Sequence, residues 1–362
     1  MNITEIINKV LSTPNAAFFY TPPIYGKSDS YLFLKPKEIV TIKSLRNLDE
    51  KLNRIDDLIA DGFVGYSLMN YEAEYLIKKT LNKYLPKNEN LIQFFFYNKK
   101  NVQTIKSNKI LFDSFEKYKI KYFKLNTSKN EFTKSISKIK SYIEEGDTYQ
   151  VNYTIKGKFD FEGSYSGLFS NLVFNQSAQY IAVINNYGKI IISLSPELFF
   201  EVKGRKIRSK PMKGTARRGI DHLHDEFIKY QLEQSEKNRA ENVMIVDLIR
   251  NDLGRISEYG SVIVKKLFEV EKYEYVYQMV STIESRLKKN VNLSDVIKNI
   301  FPCGSITGAP KIRTMEIINE LEKENRGIYT GSIGLIRKNG ITFNIPIRTL
   351  SIDKRSGKGE IG

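Results

Sequence analysis

Apolar positions along this chain follow two rhythms, one helical and one of short runs. Ser128 and Glu131 form a capping-box pair, and Phe132, Ile136, Ile139 and Ile143 recur at three- and four-residue spacing until Gly146, which predicts a helix over 127–146. Residues 222–252 read as helical too, with Leu223, Phe227 and Leu232 on one stripe and a denser run at Val243-Met244-Ile245-Val246. A third helix is predicted over about 310–322. Thr307 or Gly308 would cap it, Pro310 suits its first turn, and Ile312, Met315, Ile318 and Leu321 would form its buried face. Strands are expected near 149–159, 180–184, 190–194, 329–337 and 341–350. The first ~125 residues mix short apolar runs such as Leu91–Tyr97 with turn signals at Pro22-Pro23 and Asp61-Gly62. Hairpin strands alternating with a few long helices imply an α+β fold, largely antiparallel.

One hairpin carries candidate chemistry. Leu198–Val202 and Ile207–Ser209 flank the turn sequence Lys203-Gly204-Arg205-Lys206, so paired residue numbers should sum to about 408. Glu197 and Lys213 then emerge at the same open end. Directly opposed residues lie roughly 5 Å apart at Cβ, so a carboxylate and an amine delivered there could act on one small substrate as acid and nucleophile. The inert alternative is an ion pair closing the hairpin mouth.

Composition narrows the remaining classes. At 362 residues and 41% hydrophobic content the chain can bury a sizeable core. No apolar run approaches the ~18 residues of a membrane span, so no membrane association is expected, and Met1-Asn2-Ile3-Thr4-Glu5 lacks the basic start of a secretory leader. The single Cys303 excludes an internal disulfide and fits a reducing, cytoplasmic compartment. With only His222 and His224, an HExxH zinc site is excluded. A net charge of +16 raises the question of nucleic acid, but lysines are scattered from Lys9 to Lys358 among acids, and no nucleic-acid partner is expected.

Four more segments stand out. Arg239–Gly254 places Glu241, Asp247 and Asp252 on an otherwise apolar helix, and Phe301-Pro302-Cys303-Gly304-Ser305-Ile306-Thr307-Gly308-Ala309-Pro310-Lys311 is a small-residue loop entering a helix. Arg326–Gly334 sets Tyr329 between glycines, and Phe343–Thr349 ends a strand with Arg348. Neither Lys213 nor Lys311 follows the glycine that a Walker A loop requires, because Met212 and Pro310 precede them.

Together with Ser195-Pro196-Glu197 and Lys210-Pro211-Met212-Lys213-Gly214-Thr215, these segments resemble the chorismate-utilising family across roughly 127–362, with a weaker likeness before it. Lys213 is the discriminating position. The family's anthranilate synthases carry alanine there, whereas its aminodeoxychorismate synthases carry lysine. The resemblance implies the anthranilate synthase component I-like fold, mainly antiparallel sheets packed as a sandwich with helices outside. It divides the chain into 1–125, of unreadable function, and a chorismate-binding catalytic region, 126–362. It further implies that Lys213 attacks chorismate, Glu197 protonates the leaving hydroxyl, and Gly214, Thr215, Thr307, Tyr329 and Arg348 hold the substrate. Glu241 would ligate Mg2+, and ammonia would come from a separate glutamine amidotransferase subunit. The product would be 4-amino-4-deoxychorismate, on the route to 4-aminobenzoate and folate. Anthranilate, isochorismate or salicylate synthesis is the alternative within the family, and a chorismate-binding subunit without turnover the alternative outside enzymology. Two departures qualify these roles. Many members carry histidine at the position of Gln278, and the family continues past Gly362 with more glycines and an acidic segment holding a second magnesium ligand. The chain as written is therefore expected to turn over chorismate poorly.

Overall fold

The computed structural model describes residues 1–26, 29–112, 116–176 and 178–362. Two antiparallel sheets lie face to face. The first has nine described strands in the order Val102–Lys106, Asp29–Phe33, Ala17–Tyr20, Tyr180–Asn186, Lys189–Ser195, Thr349–Asp353, Lys358–Ile361, Gly157–Gly163 and Tyr118–Leu125. The second runs Met212–Arg217, Val276–Arg286, Lys206–Lys210, Leu198–Lys203, Gly340–Asn344, Ser332–Arg337, Val64–Met69, Ile92–Tyr97 and Glu38–Ile42, with Ile263–Lys272 also paired to Val276–Arg286.

Three apolar layers follow from this stacking. Phe19 and Phe33 of the first sheet meet Tyr66 of the second in a shared inner core, with ring centroids 5.7 Å apart in both contacts. The outer face of the first sheet is covered by helices Ile3–Ser12 and Tyr165–Asn175. That of the second is covered by Leu48–Ala60, Glu236–Ile256, Leu293–Ile300 and Lys311–Leu321. Central strands such as Ile92–Tyr97 are buried on both faces, which explains why they read as continuous apolar runs without alternation. Residues before 125 supply strands to both sheets.

The expected hairpin forms. Val202 pairs with Ile207, Lys203 with Lys206, and Leu198 with Lys210, around Gly204 at φ +57. Five expected elements differ from the structure. The helix over 222–252 is two helices, His222–Gln234 and Glu236–Ile256, because the Ser235 hydroxyl accepts from the Asn238 amide and starts a new cap. Of its predicted stripe only Leu232 is buried, while Leu223 and Phe227 are 83% and 59% exposed. The capping box on Lys129–Glu144 is present, but of its four stripe residues only Ile139 is fully buried. The third helix starts at Lys311 with Pro310 as N-cap. Thr307 and Gly308 lie outside it, and Gly308–Ala309 pairs instead with Gln150–Val151, which breaks the strand expected over 149–159. The strand expected over 341–350 is also two strands, Gly340–Asn344 in one sheet and Thr349–Asp353 in the other.

That last division builds the site. The chain passes from the first sheet to the second between Ser195 and Leu198, and returns between Asn344 and Thr349. The two crossings are latched together. Ser195 Oγ donates to the Ile345 carbonyl at 2.5 Å, and the Ile345 amide donates to the Glu197 carbonyl at 3.1 Å.

Candidate active site

Glu197 sits on the first crossing, buried beneath the loop that follows Phe301. The Ser305 hydroxyl donates to its Oε1 at 2.8 Å, its own amide donates to Ser195 Oγ at 3.2 Å, and the Met212 amide also contacts its carboxylate. Burial pushes its pKa up to about 7, against the opposing pull of the Ser305 hydrogen bond, the Lys213 charge and the Met212 amide. A carboxyl so poised holds a proton near neutrality and can release it to a leaving group.

Lys213 reaches the same place by a bulge. In the pairing of Met212–Arg217 with Val276–Arg286 the register shifts between Met212 and Thr215, leaving Lys213 and Gly214 as the irregular pair. Gly214 has φ +100, a backbone conformation that favours glycine, and a Cβ there would lie 3.1 Å from the Asn238 side chain, which would have to give slightly. Lys213 is half-buried, and no ion pair joins it to Glu197. The inert alternative of an ion-paired hairpin mouth is therefore absent; Lys213 influences Glu197 only at longer range.

Glu241 lies on the Glu236–Ile256 helix. Asn238 faces Gly214 and Leu248 faces Gly304, so the spacing 238, 241, 245, 248 sets Glu241 on the stripe running from the lysine bulge to the Ser305 loop. It is half-buried and has no hydrogen-bond or ion-pair partner among the described residues. No group of three or more His, Cys, Asp or Glu side chains is gathered for a metal among them. One free carboxylate fits Mg2+ as a single protein ligand, since that ion commonly keeps waters and takes substrate oxygens for the rest.

The remaining candidates divide. Arg348, at φ +53 on the return crossing, is exposed and lines a cavity of about 420 Å³ together with Pro196, Tyr273 and Gln278. Thr215 donates to Gln278 Oε1 at 3.0 Å, which fixes that amide beside the same cavity. Tyr329 is half-buried on the Arg326–Gly331 loop, whose Thr330 amide donates to the Pro346 carbonyl of the return crossing at 3.2 Å. The Tyr329 ring packs on Gly362 so closely that a Cβ there would come within 2.2 Å. Thr307 is fully buried; its hydroxyl donates to the Cys303 carbonyl at 3.0 Å and accepts from Tyr71 at 3.4 Å.

Ser305 lies in the small-residue loop after Phe301 but is not recognisable from sequence as a site residue, because its partner Glu197 is 108 residues away. Arg326 is not recognisable either. This buried arginine pairs with Glu322, donates to the Ile306 carbonyl at 2.8 Å and lies 4.4 Å over the Tyr71 ring, so it braces the Ser305 loop from behind. Cys303 is a buried thiol pushed up to about 12, mainly by burial.

Residues 12–362 match the family described as chorismate binding enzyme. Over 220 residues the chain is 43% identical to aminodeoxychorismate synthase component 1 of Bacillus subtilis, covering 60% of this chain and 47% of that protein. Over a similar 220 residues it is 42% identical to an anthranilate synthase component 1 of Haloarcula marismortui, covering 60% and 44%. The matches thus span about half the length of these curated relatives. The fold is shared with anthranilate synthase component I from Streptococcus pneumoniae, at a TM-score of 0.78 and 23% identity over 92% of this chain and 86% of that one.

Proposed function

The chain belongs to the chorismate binding enzyme family, and we propose that within it this protein converts chorismate and ammonia to 4-amino-4-deoxychorismate, with Lys213 as nucleophile and Glu197 as acid. The observation that carries this reading is Lys213 on its bulge, with no ion-pair partner among the described residues, within electrostatic reach of a buried carboxyl whose pKa is raised to about 7. The Lys213 amine forms a bond to C2 of chorismate, both double bonds of the ring diene shift by one position, and the C4–O bond breaks. Glu197 gives its proton to the departing oxygen, which leaves as water. Ammonia then forms a bond to C4, both ring double bonds shift back, the C2–N bond breaks to restore the lysine amine, and the new C4 ammonium returns a proton to Glu197. Net, chorismate and ammonia yield 4-amino-4-deoxychorismate and water.

Arg348 suits a substrate carboxylate through paired guanidinium donors, with Gly214, Thr215, Tyr329 and Thr307 assigned to the surrounding substrate wall. Glu241 would hold Mg2+, which when bound supplies charge stabilisation at a substrate carboxylate. Ammonia would come from a glutamine amidotransferase subunit, and the product would feed 4-aminobenzoate and folate synthesis. Anthranilate synthesis is the second reading, favoured by relatives of that name at nearly the same identity.

Mass identification of the product from chorismate, magnesium and an ammonium salt separates the two. The expected product is 4-amino-4-deoxychorismate, with a covalent substrate adduct trappable on Lys213. In Lys213→Ala the adduct should vanish, with amination moving toward C2. Anthranilate from the parent chain, or an alanine variant making the 4-amino product at the parental rate, would overturn the assignment.

A further inference from the structure

A second cavity lies far from this chemistry. The two sheets are twisted and separate at one corner, leaving a crevice of about 600 Å³ between Asp29–Phe33 and Val102–Lys106 on one side and the Ser332–Arg337/Gly340–Asn344 hairpin on the other. Tyr31 and Phe33 form one wall, Val64 and Ile336 the other. Lys203 on its rim ends the strand whose opposite end begins beside Glu197, six residues or ~20 Å away. The crevice is therefore separate from the candidate active site.

The rim is strongly one-signed. Lys99, Lys100 and Lys338 are exposed there and have no carboxylate partner among the described residues. Arg337 donates through Nη2 to the neutral Thr342 hydroxyl at 2.8 Å, and its Nε is shut from solvent with no acceptor. Lys203 shares Glu201 at 3.3 Å, and the one acid lining the crevice among the described residues, Asp29, is held by Lys106 at 2.7 Å. Scattered lysines elsewhere on this basic chain carry no such meaning. Here they line a cleft whose apolar walls concentrate their field, and its volume, with an apolar floor under a polar rim, is that of a small-molecule site.

We propose that this inter-sheet crevice binds a small amphipathic organic phosphate, its flat apolar body between Tyr31, Phe33, Val64 and Ile336 and its dianionic head on Lys99, Lys100, Lys338 and Arg337. A zwitterion such as a free amino acid fits poorly, because Asp29, the one lining carboxylate among the described residues, is already paired. A neutral aromatic would leave the cations uncompensated.

Flavin mononucleotide and riboflavin are suitable probes, being fluorescent and sharing one ring system while differing in the phosphate. On the full chain, flavin mononucleotide should bind at one site at least tenfold more tightly than riboflavin, and added salt should weaken it. The triple variant Lys99→Glu, Lys100→Glu, Lys338→Glu should lose at least tenfold in that affinity. A control variant, Lys265→Glu, Lys288→Glu, Lys289→Glu, carries the same change in net charge away from the crevice and should bind like the parent. Equal binding of the two probes, or equal losses in the two triple variants, would assign the effect to apolar contact or bulk charge and overturn the proposal. So would binding abolished by Leu223→Ser, Phe227→Ser on the exposed helix.

Discussion

Three buried glutamates show how one residue type takes different roles from its surroundings. Glu197, Glu72 and Glu74 are each raised by burial, to about 7, about 7 and about 8. Glu72 accepts from the Arg326 and Gly327 amides at 2.6 and 3.1 Å and anchors a loop. Glu197 instead accepts from the Ser305 hydroxyl and feels the Lys213 charge at longer range, and if it is the acid its proton is required. The chemical step should then fall as pH rises through about 7, and Glu197→Gln should lower it by on the order of 10²–10⁴. A single-turnover pH profile checks this; a rate flat from pH 6 to 9 would remove Glu197 from the acid role. Glu74 differs in having no hydrogen-bond partner for either oxygen among the described residues. Its folded value lies above the unfolded value of 4.5, so the native state binds the extra proton. Its contribution is most favourable at low pH and is lost as pH rises from about 4.5 through about 8. Glu74→Gln should therefore shrink the fall in stability between pH 5 and pH 9 by on the order of a few kcal/mol. Urea unfolding at both pH values measures it, and an unchanged difference would mean that Glu74 is ionised and solvated.

At the scale of elements, periodicity located helices better than it located their buried faces. The stripe Leu223, Phe227, Leu232 has helical spacing, yet the helix presents most of it outward, and the core takes only Leu232 beside Tyr277 and Met279. Spacing reveals that two residues share a face; it carries no information on what lies opposite that face. Leu232→Ala should cost about 2–5 kcal/mol, and Leu223→Ala less than ~0.5 kcal/mol, by equilibrium denaturation. Similar losses would mean that the exposed stripe is covered. Hairpin signals served better because they are local. Gly204 at φ +57 and the pairs Val202–Ile207 and Lys203–Lys206 were readable from composition and turn length alone. The bulge at Lys213 and Gly214 was not, since it depends on Asn238 of a later helix.

The whole molecule explains both the success and the limit of that reading. Glu197, Lys213 and Arg348 stood out as ordered motifs, but their assembly depends on two strands exchanging sheets at one level, latched by Ser195 across 150 residues, and on Ser305 reaching Glu197 across 108. Long-range contacts of this kind leave no periodic trace in either partner segment. The same architecture bears on the source of nitrogen. A glutaminase of the cysteine type needs a thiolate held by histidine and an oriented acid. Here Cys303 is a buried thiol raised to about 12, with Ser305 as its side-chain neighbour at 3.2 Å, while His222 and His224 stand on a separate helix at the molecule's surface. Glutamine should accordingly give no glutamate and support no amination when offered to the purified chain, whereas an ammonium salt should support it, and adding an amidotransferase subunit should make glutamine competent. Glutamate release by the chain alone, persisting in Cys303→Ala, would reveal a hydrolytic site built on other residues; release abolished by that substitution would show that the Ser305 loop opens far enough to free the thiol.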